Sequence, residues 1–353
     1  MPYIAGLTTA TPPNVLEQQD AKRFAEQLFG GEIKHLLPVF DNALIDRRHF
    51  ATEIDWFFQP HTFTEANDRY IESSLALAEE VVVKLTEQCG IGTQAFDAIF
   101  FVSTTGLSTP SIDARLFNKI PLNPHIKRIP VWGLGCAAGV AAIARASEYV
   151  RAFPKHRALV VSVELCSLAY QLGDRSKSNI VAAALFADGA AACLVAGDEV
   201  PHPSHGFAQP SIVGSLSTTY PNSLDVMGWR ITSEGFKIVL SRDIPSIVTG
   251  LVRENIGELL NAHGLTVADI AHYLTHPGGA KVLEAYAQAL ALTHGELQPS
   301  LDVLRNFGNM SSATVFFIME RVLRETRANT GEYGLASALG PGFSSELVLL
   351  RWE

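Results

Sequence analysis

The chain has few cysteines, and none of them is placed as a metal ligand or disulfide partner would be. Its 353 residues contain four, Cys89, Cys136, Cys166 and Cys193, and no two of them form a CxxC pair. Metal-binding cysteines normally recur at short spacings, and disulfide frameworks need many cysteines in a short chain. The sequence therefore predicts no metal site and no disulfide-stabilised fold.

Charged residues are also sparse, and the basic ones are outnumbered. The chain has 27 Lys and Arg against 36 Asp and Glu, a formal net charge of −9. Nucleic-acid-binding proteins usually carry a basic excess because they neutralise phosphates. The composition therefore argues against a nucleic-acid partner, and any polyanionic ligand would need a local basic patch.

Long apolar segments are missing as well. The most apolar stretch, residues 181–195, is interrupted by Asp188 and is shorter than the roughly 20 residues of a transmembrane helix. The opening residues, MPYIAGLTTATPPN, lack the basic and then apolar segments of a secretory signal. We therefore expect a cytoplasmic protein without a membrane span.

Apolar runs of strand length alternate with helical patterns along the chain, which is typical of layered α/β folds. The apolar spacing of Ile71, Leu75 and Ala78, for example, is helical. Strands are predicted over residues 98–103, 129–132, 158–163, 190–195, 272–275 and 347–351. Helices are predicted over residues 67–88, 137–153, 246–263, 279–292 and 311–327.

The two halves of the chain carry similar local patterns. GCAAG at residues 135–139 and FGNMSSA at residues 307–313 each place a glycine, a polar or reactive residue and small residues before a helix. A duplicated strand–turn–helix unit would leave such a pattern. Residues 197–220 lack periodicity, and we predict that they connect the two halves. We therefore divide the chain into an N-terminal half, residues 1–205, and a C-terminal half, residues 206–353.

Cys136 is the first candidate for chemistry. The segment IPVWGLGCAAG reads as a strand, a tight turn and a helix, which places Cys136 near a helix N-terminus. Unpaired backbone N–H groups there favour an anion, so we expect a lowered thiol pKa and a nucleophilic thiolate. The alternative is a free cysteine buried as a small apolar residue.

The same glycines allow a second interpretation. Gly133, Gly135 and Gly139 loosely resemble a dinucleotide-binding fingerprint, with Glu164 as the acid that binds the ribose. The acid, however, lies later than the usual distance of about 20 residues after the glycines. A cysteine also occupies the turn where pyrophosphate needs bare backbone, so a nicotinamide cofactor is the weaker interpretation.

His276 and Asn309 are the other candidates. His276 ends an apolar strand and precedes Pro-Gly-Gly and a helix, a position that faces ligand crevices in α/β folds. It could pair with a Cys136 thiolate and then donate to a thioester oxygen, or it could be structural. Asn309 stands at a helix start, either as an N-cap or with its amide donor directed toward a developing enolate.

Together these motifs resemble one enzyme family. Cys136 in WGLGCAAG, His276 in THPGGAKVLEAY and Asn309 in FGNMSSAT look like the chalcone synthase-like type III polyketide synthases, of the bacterial type. The resemblance covers essentially the whole chain. It implies a thiolase-type αβαβα layered α/β fold of two similar halves, usually a homodimer, with those three residues as a catalytic triad. The family's cyclisation loop is matched by Gly340, Pro341, Gly342 and Phe343.

The resemblance also implies the reaction. An acyl group passes from CoA to Cys136, and malonyl-CoA loses CO₂ to give an enolate that attacks the acyl-cysteine. Donors from His276 and Asn309 would each stabilise the enolate by about 2.7–4 kcal/mol, by analogy with oxyanion holes. Acyl-CoA and malonyl-CoA are then the substrates, and no metal, flavin or nicotinamide cofactor is required.

Further positions match the walls of the family's cavity. Phe186 matches a gate phenylalanine, and Ile238 stands where plant members have a second one, which implies a wider and less aromatic gate. The other positions that match the cavity lining are Thr104, Cys166, Ala169 and Ser311. Plant chalcone synthases carry threonines at the positions of Cys166 and Ala169. The smaller, less polar residues here resemble those of bacterial members that accept long acyl-CoAs.

Two more features bear on the substrate. Thr109 replaces a methionine that plant enzymes push across the dimer interface, which argues against a coumaroyl-specific chalcone synthase. Arg47 and Arg48 are candidates for contacts with CoA phosphates, and a solvated arginine pair is the equal alternative.

The sequence thus predicts an acyltransferase that extends a fatty acyl-CoA with malonyl units and makes alkylpyrones or alkylresorcinols. Alternatives with the same fold are a malonyl-only synthase with a naphthalene-type product, a β-ketoacyl-ACP synthase III-like initiation enzyme and a catalytically silent partner. The initiation enzymes usually carry His-Gln-Ala-Asn, whereas this chain has His276-Pro-Gly-Gly. Retention of all three polar residues argues against a silent partner.

Overall fold

The computed structural model of the protein describes residues 1–204, 208–293, 295–325 and 328–353. The strands are β1 (Tyr3–Ala10), β2 (Asn14–Glu17), β3 (Arg47–Phe50), β4 (Ala98–Val102), β5 (Lys127–Val131), β6 (Arg157–Leu165), β7 (Asp188–Ala196), β8 (Ser211–Thr219), β9 (Met227–Thr232), β10 (Gly235–Leu240), β11 (Ile270–Thr275), β12 (Tyr333–Gly340) and β13 (Ser344–Arg351). The helices are α1 (Gln18–Phe29), α2 (Pro38–Asp41), α3 (Phe63–Cys89), α4 (Ile112–Leu116), α5 (Ala138–Ala152), α6 (Lys177–Leu185), α7 (Ile244–Ala262), α8 (Ala280–Leu290), α9 (Gln298–Phe307) and α10 (Thr314–Glu325).

The main sheet contains the same strand arrangement twice. Its order is β11-β12-β13-β8-β1-β7-β6-β4-β5, and β8 meets β1 at Ser211 and Tyr3. In the N-terminal block β4 and β6 are parallel, while β6–β7 and β7–β1 are antiparallel. In the C-terminal block β11 and β12 are parallel, while β12–β13 and β13–β8 are antiparallel. The repeated pattern agrees with the predicted duplication.

Helices cover both blocks and lie between them. Helix α3 packs on one face of the N-terminal block, and α7 and α8 pack on one face of the C-terminal block. Helices α5 and α10 share a single apolar cluster with residues of both blocks. The layers therefore follow the αβαβα order that the family resemblance implies, and the two central helices lie between the two blocks.

Helix α3 shows how local chemistry sets an element's ends. Thr62 and Glu65 form a capping box, in which the Thr62 hydroxyl accepts from Glu65 N and the Glu65 carboxylate accepts from Thr62 N. Gly90 ends the helix in the left-handed conformation, with φ of 63°. The helix thus begins four residues before the predicted start at 67, because the cap precedes the first apolar repeat.

The predicted strands and helices are confirmed within a few residues, with one clear error between the halves. Residues 197–220 were expected to form an irregular connection, but β8 occupies Ser211–Thr219. Its small polar residues hide the strand pattern, and pairing with β13 stabilises it. The predicted boundary between residues 205 and 206, and the predicted helix end at 327, lie outside the described residues.

Among the described residues, none of the helices combines the length and apolar content that a membrane crossing requires.

Candidate active site

Cys136, His276 and Asn309 line one cavity of about 1420 Å³. They reach it from three elements that are far apart in the chain. Cys136 lies in the turn before α5, His276 directly follows β11, and Asn309 lies between α9 and α10. The fold therefore brings together the three residues that the sequence motifs singled out.

Cys136 occupies a single helical turn, Gly135–Ala137, at the start of α5. Its Sγ lies 3.5 Å from the Oγ of Ser311, which also lines the cavity. Gly135 has φ of 49°, and a Cβ there would lie 2.6 Å from Cδ of Pro341. The loop at 340–343 therefore packs directly against the turn that holds the nucleophile.

Glycine at 340 is also needed for this packing, since a Cβ on Gly340 would lie 2.3 Å from the carbonyl oxygen of Leu134. Gly342 has φ of 142°, a backbone conformation that favours glycine. Phe343 is completely buried, and Pro341 faces the cavity. The predicted cyclisation loop thus forms part of the cavity wall beside Cys136.

Helix position does not lower the pKa of Cys136 in this structure. Burial raises the pKa of the thiol to about 12, the nearby Glu164 raises it further, and the contact with Ser311 lowers it. The predicted lowered pKa is therefore wrong here, because desolvation of the thiolate outweighs the favourable backbone dipoles.

His276 is buried at the cavity wall, and its backbone N–H donates to the Ser337 carbonyl at 2.8 Å. Neither ring nitrogen has a hydrogen-bond partner among the described residues. The predicted pairing with Cys136 is therefore not formed. Burial lowers the pKa of His276 to about 4, so its ring is neutral at pH 7. A buried ring without partners is available to hydrogen-bond a ligand.

Asn309 makes the cap contact that was one of its two alternatives, and its amide group also donates to the protein backbone. Its Oδ1 accepts from Ser311 N at 2.8 Å, as a helix cap would, and its Nδ2 donates to the Gly278 carbonyl at 3.0 Å. An amide carries two N–H donors, so one remains for a ligand. Its backbone pairs with the segment after α6, since Asn309 N donates to Leu185 O and Ala187 N donates to Asn309 O.

Phe186 and Ile238 both line the cavity, at the end of α6 and on β10. The Phe186 ring lies 6.4 Å from that of Trp229 on β9. Since the β9–β10 hairpin was not predicted as an element, the contribution of Trp229 to this wall was missed.

Three other predicted wall residues do not line this cavity. Thr104 is buried and does not line the cavity, and its N and Oγ1 both donate to the buried carboxylate of Glu164 at 3.0 Å. Cys166 is also buried and does not line the cavity. Ala169 lines a second cavity, of about 270 Å³, together with aromatic residues that include Phe63 and Phe236.

The predicted contact between Arg48 and CoA phosphates is wrong. Arg48 has no exposed surface, and its Nη1 donates to the carbonyls of Ala183 and Phe186, each at 2.7 Å. Because Arg48 is buried, it is not part of a solvated arginine pair either. Arg47 is exposed, bonds to Asn306 and does not line either cavity.

A different set of basic residues lines the main cavity. They come from five separate elements or loops, so no run of charge in the sequence reveals them. Four acidic residues, Asp41, Asp225, Asp243 and Glu284, line the same cavity, so its charge is mixed. The basic residues are Lys177, Arg230, Lys237, Arg242 and Lys281, and of these only Lys237 forms an ion pair within the described chain, with Asp174 at 3.4 Å.

The described ranges contain no group of three or more His, Cys, Asp or Glu side chains arranged to hold a metal ion. Cys136, His276 and Asn309 give the candidate site a thiol, an imidazole and an amide in a mixed-charge cavity. Such a set can hold an acyl group as a thioester and donate hydrogen bonds to an oxyanion.

Two family profiles match the chain. One, described as FAE1/type III polyketide synthase-like protein, matches residues 57–275, more than half of the sequence. The other, described as chalcone and stilbene synthases, C-terminal domain, matches residues 211–352.

Individual relatives are similar over nearly the full length. A provisionally named chalcone synthase of Bacillus subtilis is 42% identical, with 100% of this chain and 99% of that protein covered. A 1,3,6,8-tetrahydroxynaphthalene synthase of Streptomyces peucetius is 36% identical, covering 99% and 93%. The alpha-pyrone synthesis polyketide synthase-like Pks18 of Mycobacterium tuberculosis is 29% identical, covering 98% and 90%.

The fold is similar to solved structures. The crystal structure of a 1,3,6,8-tetrahydroxynaphthalene synthase from Streptomyces coelicolor superposes with a TM-score of 0.93 at 26% identity, covering 99% of both chains. The expected fold is therefore confirmed.

Proposed function

The chain belongs to the type III polyketide synthases of the chalcone and stilbene synthase family, and we propose that it extends fatty acyl-CoA starters with malonyl units. As a member of this family it is an acyltransferase-type enzyme. The observation that carries the proposal is the shared cavity of Cys136, His276 and Asn309. These are the groups that such a condensation needs.

In the first step the Cys136 sulfur attacks the acyl carbonyl of acyl-CoA. The C–S bond to CoA breaks, and the thiol proton goes to the departing CoA sulfur, with the neutral His276 ring as the relay. The acyl group is then held on Cys136 as a thioester. The neutral ring suits this role because it can accept and return a proton at pH 7.

In the second step malonyl-CoA loses CO₂, and the electron pair of the broken C–C bond forms an enolate. The free ring of His276 and the remaining amide N–H of Asn309 donate to the enolate oxygen. The enolate carbon then attacks the acyl carbonyl on Cys136 and releases the thiolate. The lengthened chain returns to Cys136 for the next extension, and no metal or redox cofactor takes part in these steps.

The basic residues of the cavity support CoA as the carrier of both substrates. Lys177, Arg230, Arg242 and Lys281 are exposed, line the cavity and form no ion pair within the described ranges. Their charges are therefore available to phosphate groups, whereas the chain as a whole is acidic. We assign the CoA phosphates to these residues in place of Arg47 and Arg48.

A second cavity supports the proposal of a long aliphatic starter. This cavity, of about 270 Å³, is lined by Ala169 and largely by apolar and aromatic side chains. Apolar surface of this kind stabilises an alkyl chain by about 25 cal/mol per Å² removed from water. Alkylpyrone or alkylresorcinol products would follow, and one relative is named for alpha-pyrone synthesis.

A malonyl-only reaction with a naphthalene-type product is the second candidate function. It is favoured by the relative and the solved structure that are named as 1,3,6,8-tetrahydroxynaphthalene synthases. The two functions share the first cavity and differ in whether an alkyl chain occupies the second.

We also propose that the enzyme acts as a homodimer. Strand β5 is the edge strand of the N-terminal block, and unpaired strand edges are templates for association. The large apolar side chains of Trp132 and Leu107 nearby are 49% and 39% exposed. Light scattering after size exclusion tests this, since a monomer at assay concentrations would contradict it.

The test of function is incubation of the purified enzyme with labelled malonyl-CoA and acyl-CoAs from acetyl to stearoyl, with products resolved by mass. A Cys136→Ala protein and a malonyl-only reaction are the controls. Alkylpyrones or alkylresorcinols that peak with long starters support the proposal. An aromatic product from malonyl-CoA alone identifies the second candidate, and activity only with a carrier protein contradicts both.

A further inference from the structure

Arg48 is a buried cation that sits behind the catalytic cavity. It lies on β3, has no exposed surface and forms no ion pair within the described chain. Its Nε has no hydrogen-bond partner there either, and Asp188 contributes only a longer-range attraction. Burying an arginine without a paired carboxylate is costly. The contacts of its Nη1 indicate what the fold gains from it.

Those contacts lie at the last turn of α6. Nη1 donates to the carbonyls of Ala183 and Phe186 at 2.7 Å, and it lies 3.4 Å from the Tyr170 hydroxyl. The Tyr170 hydroxyl itself donates to Phe186 O at 2.8 Å. Carbonyls at a helix C-terminus lack intrahelical partners and carry partial negative charge, so a guanidinium there is favourable. Arg48 therefore caps α6 where its end meets the cavity.

The same turn holds the backbone of Asn309. Asn309 N donates to Leu185 O at 2.9 Å, and Ala187 N donates to Asn309 O at 2.8 Å, on either side of Phe186. The two segments form a β-bridge between Phe186 and Asn309. Any shift of the end of α6 would therefore move the gate residue and the amide donor together.

The stem of Arg48 contacts the second segment directly. Gly308 has φ of 71°, and a Cβ there would lie 2.7 Å from Cγ and 2.8 Å from Cδ of Arg48. The arginine thus contacts one partner of the bridge, the carbonyl of Phe186, with its head group, and its stem contacts Gly308, the residue before the other partner.

We propose that Arg48 is a positioning residue that sets the Phe186 gate and the Asn309 amide in one network. The proposal rests on the proposed function, in which Asn309 donates to the enolate. It replaces the phosphate contact that the sequence suggested for Arg48. Arg48 touches no substrate and acts only through the Phe186–Asn309 bridge.

The first test is the steady-state kinetics of Arg48→Met, which keeps the apolar stem and removes the donors. We expect kcat for condensation to fall by about 10- to 100-fold, because small displacements of a catalytic donor have effects of this size. The KM for malonyl-CoA should change less than about twofold, since the contacts to CoA are untouched. Arg48→Lys should restore part of the loss, because a single ammonium can reach one of the two carbonyls.

Two further variants separate positioning from general stability. Tyr170→Phe removes the second donor to Phe186 O and should lower kcat in the same direction, but less. Tyr3→Phe removes a buried hydrogen bond, from Tyr3 Oη to Val200 O at 3.0 Å, away from both cavities and should leave kcat unchanged. An unchanged kcat in Arg48→Met, or an equal loss in Tyr3→Phe, overturns the proposal. A rise in KM with constant kcat does so as well.

Hydrogen exchange gives a readout that does not depend on activity. Peptides covering residues 183–187 and 307–311 should exchange faster in Arg48→Met than in the wild type, while the strands β4 and β6 should not change. Faster exchange throughout the chain would contradict a local role. If the wild type makes no polyketide from any acyl-CoA, the proposed function fails, whereas the exchange pattern still tests the network.

Discussion

Gly139 on α5 lies against the main chain of Ser312, just before α10, so closely that a Cβ on Gly139 would come within 2.3 Å of Ser312 O. The two central helices therefore meet at their N-terminal ends. Cys136 precedes one helix, and Ser311 and Asn309 precede the other. The contact between Gly139 and Ser312 thus brings the nucleophile of one half to the amide donor of the other.

This contact predicts that Gly139→Ala destabilises the protein. Alanine is ordinarily the better helix residue, but here its methyl group would meet a backbone oxygen that cannot move without moving α10. Overpacking of this kind costs about 1–3 kcal/mol. The measurement is the urea concentration at the midpoint of unfolding, monitored by circular dichroism, and this midpoint should shift to a lower urea concentration.

Gly257→Ala is the matched control, because Gly257 lies in α7 and a Cβ there would meet nothing within 4 Å. It should stabilise the protein by about 0.5–1 kcal/mol, the usual gain of Gly to Ala in a helix. Equal shifts for the two variants would contradict the close helix crossing.

Cys136→Ala should abolish chain extension and leave decarboxylation of malonyl-CoA. The thioester cannot form without the sulfur, whereas the donors of His276 and Asn309 remain. We expect product formation to fall by at least about 10³-fold. Polyketides by mass and labelled CO₂ release are measured together, with Cys193→Ala, in the buried strand β7, as the control. Polyketide formation by Cys136→Ala would disprove the nucleophile assignment.

The thiol of Cys136 should react more readily as the pH rises. Burial raises its pKa to about 12 and lowers that of His276 to about 4, so both are neutral at pH 7. Only the thiolate is alkylated, and below the pKa its fraction grows about tenfold per pH unit. Inactivation by iodoacetamide should therefore accelerate about tenfold per unit between pH 7 and 9. A rate that is already constant below pH 7 would instead indicate a thiolate paired with His276.

Asn309→Asp should impair decarboxylation as well as condensation. The change replaces an amide donor by a carboxylate that repels the enolate, and loss of one oxyanion donor typically costs 10²- to 10³-fold, or about 2.7–4 kcal/mol. The rate of CO₂ release from malonyl-CoA is the measurement. Asn306→Ala, on α9, is the control. Wild-type decarboxylation by Asn309→Asp would show that His276 alone stabilises the enolate.

Ala169→Phe should shorten the preferred starter, because the ring would fill the second cavity. The product profile across the acyl-CoA panel is the measurement. Product formation from octanoyl-CoA and shorter starters should be retained better than product formation from stearoyl-CoA. Val181→Phe adds the same ring to the wall of the catalytic cavity and should lower product formation from all starters alike. An unchanged chain-length profile in Ala169→Phe would place the alkyl chain elsewhere.

Much of the fold follows from local patterns. Apolar periodicity located the long helices, and the predicted strand at residues 158–163 lies within β6. Strand β8 was missed because Ser215 and Ser217 weaken its apolar pattern, and its stability comes from pairing with β13. Pairing partners lie far away in the sequence, so the pattern within one segment does not contain them.

For the site, motif context was informative where a residue's role depends on its neighbours in the chain. Glycine-flanked Cys136 and strand-ending His276 were found in this way, and both face the cavity. Arg48 was misassigned because the sequence analysis treated it and Arg47 as one pair. Successive side chains of a strand point to opposite faces, so Arg47 is exposed on β3 whereas Arg48 is buried. The basic residues of the cavity were missed because each stands alone in its own segment.

The sequence by itself determined the layered α/β pattern, through alternating strand and helix periodicity, and its ordered motifs around Cys136, His276 and Asn309 identified the family by resemblance. The tertiary structure alone decided the protonation of Cys136, the isolation of the His276 ring and the burial of Arg48. Those properties depend on how much water and charge surround a group, and the surrounding atoms come from segments far apart in the chain.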